Sequence, residues 1–287
     1  MFVVVGATGH TGSVVAETLL SKKQPVRVVV RSADKGSSWK AKGAEVAVAT
    51  YQDREAMAKA FEGTTGIYLL VPPNYQAQAW LVEQQRTMDQ AAEAIAAGGR
   101  AAHVVFLSSV GGHLAEGTGP IRAVRYGEQQ LRTVAKNLTV LRPCSFMENL
   151  APSIGMVKGQ GMLPTFLDPS TKIPMVATKD IGRTAAEQLL IGCKGTRIIE
   201  LAGPEDYSPN QAAEALGKLL GKQVSVQHAP LSAVVPTFTS FGFSHEAARL
   251  FEEMYTAFSK GTLVYENPSS LVRGTVTLSE ALQDMVS

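Results

Sequence analysis

The chain has 287 residues, which is enough for one large α/β domain or for two unequal domains with a substantial core. Its formal net charge is +2 and 18% of its residues are charged, so it lacks the excess of Lys and Arg that gathers nucleic-acid phosphates. Residues 1–5 have the composition of a strand rather than of a secretory leader, and no apolar run approaches membrane-spanning length, so we expect a cytoplasmic protein that does not enter membranes.

In the first half of the chain, apolar or β-branched runs of strand length alternate with stretches that have helical spacing. Val15 and Leu19, for example, lie four residues apart, and residues 54–61 carry apolar side chains on one face. Runs that are apolar throughout are typical of parallel strands buried on both sides. Six alternations predict an α/β fold with a doubly wound parallel sheet, the Rossmann fold. The predicted strands are 3–5, 26–30, 45–48, 66–70, 103–107 and 138–141.

The pattern changes after residue 141. Residues 151–174 carry four prolines and three glycines, which predicts an irregular loop, with at most one helical turn, that could cover a site as a lid. We therefore expect residues 1–150 to form the nucleotide-binding domain and 151–287 to form a smaller mixed C-terminal substrate region, interleaved with the sheet through a strand near 197–201. Further predicted elements are a helix over 180–190, a helix opened by the capping box 208–211, and a helix over 244–261.

A glycine-rich loop follows the first predicted strand. Three glycines occur within seven residues, with the spacing G-x-x-G-x-x-G, directly before an amphipathic helix. Such a loop turns tightly and points backbone N–H groups at a pyrophosphate. An ordinary glycine-rich turn is the alternative, but the position between strand and helix favours a dinucleotide site. Its predicted cofactor-binding residues are Gly6, Thr8, Gly9, His10, Thr11 and Gly12.

The end of the second predicted strand indicates which dinucleotide binds. NAD sites usually present a carboxylate there, whereas this strand ends in Arg31 and Ser32, with Lys35 shortly after. An arginine and a hydroxyl favour a 2′-phosphate through charge-assisted hydrogen bonds, so we predict NADP(H) rather than NAD(H). The alternative is that Arg31 is simply solvated at the end of a strand.

Several segments along the chain resemble the NmrA-like group of atypical short-chain dehydrogenases/reductases. The similarity spans nearly the whole chain, and the third and fourth segments are more specific than the glycine loop. The segments are GATGHTG (6–12), VRVVVRSADK (26–35), LRPCSFMENL (141–150), KDIGRTAAEQLL (179–190) and LAGPEDYSPNQAAEALGKLLGK (201–222). The resemblance implies either an NADP(H)-dependent reductase of quinones, aromatic dyes or related conjugated molecules, or a cofactor-binding regulator with little chemistry.

The resemblance also implies positions for the remaining cofactor ligands. Arg31, Ser32 and Lys35 would surround the adenosine phosphate. Relatives often carry Gly-Asp at the adenine, where this chain has Ala49 and Thr50, so Thr50 would have to serve. The residues expected under the ribose and nicotinamide are Val71, Pro72, Pro73, Ser108 and Ser109, and those expected to close the nicotinamide end are Pro143, Cys144, Ser145 and Phe146.

No complete proton-transfer pair is visible. Many short-chain dehydrogenases use Tyr-x-x-x-Lys, in which the lysine lowers the pKa of the tyrosine, but here Tyr126 is followed four residues later by Gln130. Arg125 stands where relatives often place a histidine, and an arginine keeps its proton at neutral pH. The remaining candidate proton donors are His113 and Tyr126, with a surface or packing role as the alternative for each.

A hydride can be transferred without a dedicated acid when the acceptor is electron-poor, because solvent then supplies the proton. The leading hypothesis is therefore an NADPH-dependent reductase of a small quinone-like or aromatic substrate, with Tyr75, Phe146 and Met147 as possible walls. The alternative is a nucleotide-sensing regulator whose C-terminal region binds a protein partner. Both hypotheses require the same NADP(H) site.

Other kinds of site are disfavoured. The five histidines show no metal-binding spacing and do not pair with the two cysteines, so no metal is predicted. Ser108 and Ser109 lack the Gly-x-Ser-x-Gly elbow of a serine hydrolase. We expect Glu148 and Asn149 to fasten a loop, and Asp53 to cap the helix that begins at residue 54.

Overall fold

A computed structural model of the chain describes residues 1–100 and 102–287, and a parallel sheet of eight strands runs through it. All six strands predicted for the first half are present, each within two residues of its predicted ends, and the strand predicted at 197–201 joins the same sheet. In chain order the strands are β1 (Phe2–Val5), β2 (Val26–Val30), β3 (Glu45–Val48), β4 (Gly66–Leu69), β5 (His103–Leu107), β6 (Asn137–Pro143), β7 (Ser145–Phe146), β8 (Met162–Thr165), β9 (Ile173–Val176), β10 (Gly195–Ala202), β11 (Asp206–Tyr207), β12 (Ser225–His228) and β13 (Val272–Arg273).

The order across the large sheet is β3-β2-β1-β4-β5-β6-β10-β13, and every pairing in it is parallel. The chain moves outward from β1 to β3, returns to β4 on the other side of β1, and then moves outward in the opposite direction. Doubly wound sheets bind ligands where the strand order reverses, beyond the carboxyl ends of the strands. This topology confirms the predicted Rossmann fold. The remaining strands form two small sheets, β11-β9-β7 and β12-β8.

Helices cover both faces of the large sheet, and alternate residues of each strand enter the two cores. Val4 packs on the side of α1 (His10–Ser21) and α7 (Thr178–Ile191), whereas Val3 packs on the side of α3 (Arg54–Phe61), α4 (Trp80–Ala94) and α5 (Ile121–Val134). A third core, around Met147 and Leu216, lies in the C-terminal half. The helices are α1 (His10–Ser21), α2 (Ser37–Ala41), α3 (Arg54–Phe61), α4 (Trp80–Ala94), α5 (Ile121–Val134), α6 (Ile154–Gln160), α7 (Thr178–Ile191), α8 (Pro209–Leu220), α9 (Val234–Ser240), α10 (His245–Lys260) and α11 (Leu278–Val286).

Local capping signals explain several helix ends. Asp53 accepts a hydrogen bond from the Ala56 N–H, and Ser208 with Gln211 forms a complete capping box, both as predicted. Ser244 caps α10, which ends at Gly261 in the left-handed conformation. Within residues 1–100 and 102–287, none of these helices has both the length and the apolar composition needed to cross a bilayer.

The prediction of an irregular loop over 151–174 is wrong in part. The segment contains α6, β8 and β9, with Gly161 in the left-handed conformation between α6 and β8. Pro164 is compatible with β8 because that strand pairs with β12 alone and can lack an N–H on its open side. The proline and glycine content therefore marked edges and turns rather than the absence of structure.

Two helices on one face of the sheet approach each other closely at a glycine. Gly182 of α7 is buried against α1, and a Cβ placed on it would lie 2.5 Å from Val14 Cβ and 2.8 Å from the Thr11 carbonyl oxygen. The glycine of the DIG segment thus has a packing role, because the absence of a side chain lets α7 pack closely against α1.

Replacing this glycine should loosen the packing. We expect Gly182→Ala to lower the free energy of unfolding by about 1–3 kcal/mol, because the added methyl overpacks the contact with α1. The control is Gly155→Ala in α6, where a Cβ meets no atom within 4 Å. That change should leave stability unchanged or raise it by up to about 1 kcal/mol. Equal urea midpoints for the two variants would contradict the packing role of Gly182.

Candidate dinucleotide and acceptor site

The glycine loop forms a tight turn between β1 and α1. Gly6 has a φ of +73°, and the Gly9 N–H donates to its carbonyl oxygen at 2.9 Å. A Cβ on Gly12 would lie less than 3 Å from that same oxygen, so only glycine permits this approach. Helix α1 begins at His10, and no side chain caps its first turn. Its first N–H groups are therefore directed at the edge of the sheet, where they favour an anion.

Two buried phenols, one on β4 and one in the turn after β3, support the loop. The Tyr68 hydroxyl on β4 donates to Thr11 Oγ1 at 2.8 Å. The Tyr51 hydroxyl donates to the Leu70 carbonyl at 2.6 Å, and the Leu70 side chain packs 3.1 Å from where a Cβ of Gly6 would lie. Burial raises the pKa of both phenols, so they remain protonated donors.

The end of β2 presents the predicted phosphate ligands to solvent. Arg31 and Lys35 are exposed, and Ser32 is half-buried at the start of a short 3₁₀ turn. Asp34 is exposed in the same turn, and the Ser32 hydroxyl lowers the pKa of its carboxyl. Two cations and one carboxylate therefore flank this position. Thr50 lies half-buried just beyond β3, beside the end of β2.

The other predicted ligands lie at the same edge, because every strand of the large sheet runs in the same direction. The structure thus gathers the groups after β1, β2, β3, β4, β5 and β6 along one edge of the sheet. Their individual roles in cofactor binding stay predictions. Val71, Ser109, Ser145 and Phe146 are half-buried, Pro72 and Pro73 are exposed, and Ser108, Pro143 and Cys144 are buried.

A buried network of charges lies behind β5 and β6. Arg142 is 2% exposed, and its Nε and Nη2 donate to the two carboxylate oxygens of Glu128 at 2.8 and 2.7 Å. Glu128 also accepts the Ser108 hydroxyl, and Arg142 is paired as well with Glu266. Burial alone lowers the pKa of Arg142, but the two carboxylates outweigh it, so the net shift is upward. The Ser108 hydroxyl is therefore committed to this network.

The network brings a distant segment to the carboxyl edge. Glu200 on β10 accepts the backbone N–H groups of Glu266 and Asn267, both at 2.9 Å. We call residues 263–267 the edge strap. Within it, the Tyr265 hydroxyl lies 3.2 Å from Cys144 Sγ. The strap carries no sequence motif, and Tyr265 lies 121 residues from Cys144, so no local pattern in the sequence indicates this contact.

The two candidate proton donors have different surroundings. The Tyr126 hydroxyl donates to Asp89 on α4 at 2.8 Å, and this hydrogen bond raises the pKa of Tyr126. The hydroxyl proton of Tyr126 is therefore used in a hydrogen bond to α4 and does not face the glycine loop. His113 is half-buried, and its Nδ1 has no hydrogen-bond partner among the residues that the structure describes.

Aromatic rings from both halves of the chain meet beyond the end of β4. Tyr75 stacks on Phe243 with 4.5 Å between centroids, and Phe238 stacks on Phe251 at 4.8 Å. All four of these rings are half-buried. Met147, a predicted wall, is instead fully buried in the C-terminal core. The aromatic cluster consists of Tyr75, Trp80, Phe166, Phe238, Phe243, Phe251 and Tyr255.

The two most specific sequence segments fasten the fold. Glu148 accepts both the N–H and the hydroxyl of Thr178, which caps α7 and confirms the fastening role predicted for Glu148. Asp180 accepts the Val276 N–H at 2.8 Å and so holds the chain that leads into α11. In the part of the chain that the structure describes, no group of three or more His, Cys, Asp or Glu is arranged to hold a metal ion.

The strand order and the glycine turn define a Rossmann-type nucleotide-binding protein. The chain belongs to the NmrA-like family, whose family model matches residues 1–280. This match confirms the resemblance inferred from the motifs.

Known proteins resemble the chain over most or all of its length. It is 25% identical to the NAD(P)H azoreductase of Xenophilus azovorans over 89% of this chain and 86% of the relative. It superposes with a TM-score of 0.80 on the NADPH-dependent quinone oxidoreductase of Escherichia coli in complex with NADPH, at 24% identity over all of both chains. For the Citrobacter sp. triphenylmethane reductase complexed with NADP(H), the TM-score is 0.78 at 20% identity over 99% of both chains. The structural likenesses show a shared fold.

The buried ion pair yields a stability prediction. Arg142→Met leaves the Glu128 carboxylate buried without its partner, and we expect a loss of about 3–5 kcal/mol in the free energy of unfolding. The double variant Arg142→Met/Glu128→Met should recover most of that loss. Arg197→Met, at an exposed arginine of β10, is the control and should change stability by less than about 0.5 kcal/mol. A double variant as unstable as Arg142→Met, in urea unfolding, would contradict this account.

Proposed function

We propose that the protein is an NADPH-dependent reductase that delivers a hydride to a small conjugated acceptor, quinone-like or aromatic. The observation that carries the proposal is the position of the aromatic cluster, which begins at Tyr75, six residues after β4, beside the point where the strand order reverses. A dinucleotide loop and a set of half-buried rings thus flank one edge of the sheet. Flat acceptors stack on such rings with centroids 4.5–7 Å apart.

The glycine turn supports a bound dinucleotide. Gly12 permits the close approach of the Gly6 carbonyl that shapes the turn, and the uncapped first turn of α1 offers N–H groups to a pyrophosphate. Arg31 and Lys35 outnumber Asp34 at the end of β2, which favours the 2′-phosphate of NADP(H). The family relatives described above include proteins named for NADPH or NAD(P)H and solved with NADP(H). When bound, this cofactor supplies the hydride.

The protein's own contribution would be to position the two rings and to exclude water. Residues beyond β4 and β6, among them Val71 and Phe146, would flank the nicotinamide, while residues 151–287 would provide the acceptor side through the aromatic cluster. No acid is required for an electron-poor acceptor, which agrees with the engagement of Tyr126 by Asp89. Positioning of this kind can account for a large part of a rate enhancement.

A nucleotide-sensing regulator is the second candidate. The observation that favours it is the loss of the Tyr-Lys pair, since Gln130 replaces the lysine and the Tyr126 hydroxyl is bound to Asp89. A regulator would associate with a protein partner in a nucleotide-dependent way and would consume no NADPH.

The cofactor assignment predicts a selective loss. Arg31→Ala should weaken NADPH binding about tenfold to a hundredfold, because a charge-assisted hydrogen bond is worth about 1.5–3 kcal/mol, and should leave NADH binding nearly unchanged. Fluorescence titration of both nucleotides measures this. The control is Arg54→Ala, an exposed arginine that pairs with Glu93 away from the loop. Equal losses for NADPH and NADH would sink the assignment of the 2′-phosphate to Arg31.

The reductase itself is tested with a panel of quinones, azo dyes and triphenylmethane dyes. The wild type should oxidise NADPH with at least one of them, and Phe243→Leu should raise the KM for that acceptor about threefold to tenfold, since it removes a stacked ring. Phe61→Leu, the same change in the α3 core, should lower the melting temperature without changing the acceptor KM. Cofactor-loaded protein that oxidises no NADPH across the panel would refute the reductase and favour the regulator.

A further inference from the structure

The edge strap delivers one phenol to the carboxyl end of β6. Leu263 packs against the loop after β5, where a Cβ on Gly111 would lie 2.8 Å from Leu263 Cδ2. Tyr265 follows two residues later and packs in the same core as Cys144 and Phe146. The strap thus reaches the two loops, after β5 and after β6, that are expected to flank the nicotinamide.

The position of Tyr265 is fixed by contacts of the next residue in the chain, Glu266. Glu266 is fixed twice, through its carboxylate by the buried Arg142 and through its N–H by the buried Glu200. The next N–H, of Asn267, is bound to Glu200 as well. A side chain whose neighbouring backbone is anchored to two buried charges has little freedom to move, which is what an aligned hydrogen-bond donor requires.

The Tyr265 hydroxyl has a weak partner. It lies 3.2 Å from the Cys144 thiol, and sulfur is a poor hydrogen-bond acceptor. The hydroxyls of Tyr68 and Tyr126, by contrast, are bound to oxygen atoms of Thr11 and Asp89. Tyr265 can therefore give its hydrogen bond to a better acceptor at little cost, whereas the other two phenols would have to break a stronger bond.

We propose that Tyr265 donates a hydrogen bond to the oxygen or nitrogen atom of the acceptor on which negative charge develops. This inference rests on the proposed reductase. The hydride brings two electrons to the acceptor and leaves the cofactor oxidised, Tyr265 keeps its covalent O–H bond while it stabilises the resulting anion, and water supplies the proton that completes the reduced product. Charge stabilisation of this kind speeds the chemical step more than it strengthens binding of the acceptor.

The titration of Tyr265 is consistent with this role. Burial raises its pKa, and the hydrogen bond with Cys144 and nearby Asp206 raise it further, while Arg273 opposes these effects. The phenol therefore stays protonated at neutral pH. A hydrogen-bond donor that stays protonated adds no ionisation step to the pH dependence of kcat, and this distinguishes it from a general acid.

The test compares Tyr265→Phe with Tyr207→Phe in the full chain, with the best quinone from the panel. Tyr207 is a matched control, because its hydroxyl accepts the Leu278 N–H in the C-terminal core. We expect Tyr265→Phe to lower kcat about tenfold to a hundredfold, with NADPH affinity and quinone KM changed less than about threefold and the pH profile unchanged in shape. Tyr207→Phe should leave kcat within about twofold.

Binding provides a second readout that needs no turnover. The NADP⁺-loaded wild type should bind 1,4-naphthoquinone more tightly than naphthalene, and Tyr265→Phe should remove part of that preference while its circular dichroism stays unchanged. Normal kcat and an unchanged preference in Tyr265→Phe would overturn the role of Tyr265 and leave the reductase standing. A wild type that reduces no acceptor would overturn both.

Discussion

The turn from β1 into α1 constrains much of the molecule. Its carbonyl at Gly6 lies so close to Gly12 that a single methyl would push the helix away from the sheet. Helix α1 is held in turn by α7 through Gly182, and α7 is fastened at its start by Glu148, which follows β6. Asp180 then holds the last segment of the chain. A continuous series of contacts therefore connects the glycine turn with the C-terminus, so loss of packing at Gly12 or Gly182 would disturb the turn.

The buried charges at the far end of the same edge have a different role. Removing the charges of Arg142, Glu128 and Glu200 from water costs free energy. This desolvation cost is offset because each of the three meets charged or backbone partners with good geometry. Their common effect is to fix the edge strap against β6 and β10. The main structural effect of this network is thus to position the edge strap. The strap in turn places Tyr265 near the proposed reaction site.

The segments that identify the family are not the segments that would select a substrate. Glu148, Asp180 and Gly182 lie in the two most specific motifs, and all three serve capping or packing. The aromatic cluster and the edge strap come from regions without motifs. This separation explains why membership of the NmrA-like family follows plainly from the chain, whereas the acceptor has to be sought from ring positions and hydrogen-bond donors.

The sequence by itself determined the features that depend on neighbours a few residues apart. The alternating strands, the turn at Gly6, and the caps at Asp53 and Ser208 were all predictable from periodicity and local hydrogen bonds. Helix α11 carries the same kind of local signal, a capping box from Thr277 to Glu280. Tertiary structure alone decided that Tyr265 meets Cys144, that Tyr126 turns to Asp89, and that rings from four separate segments form one cluster. Those pairings join residues up to 176 positions apart, as for Tyr75 and Phe251, and they arise from how helices pack on a sheet, which no local pattern encodes.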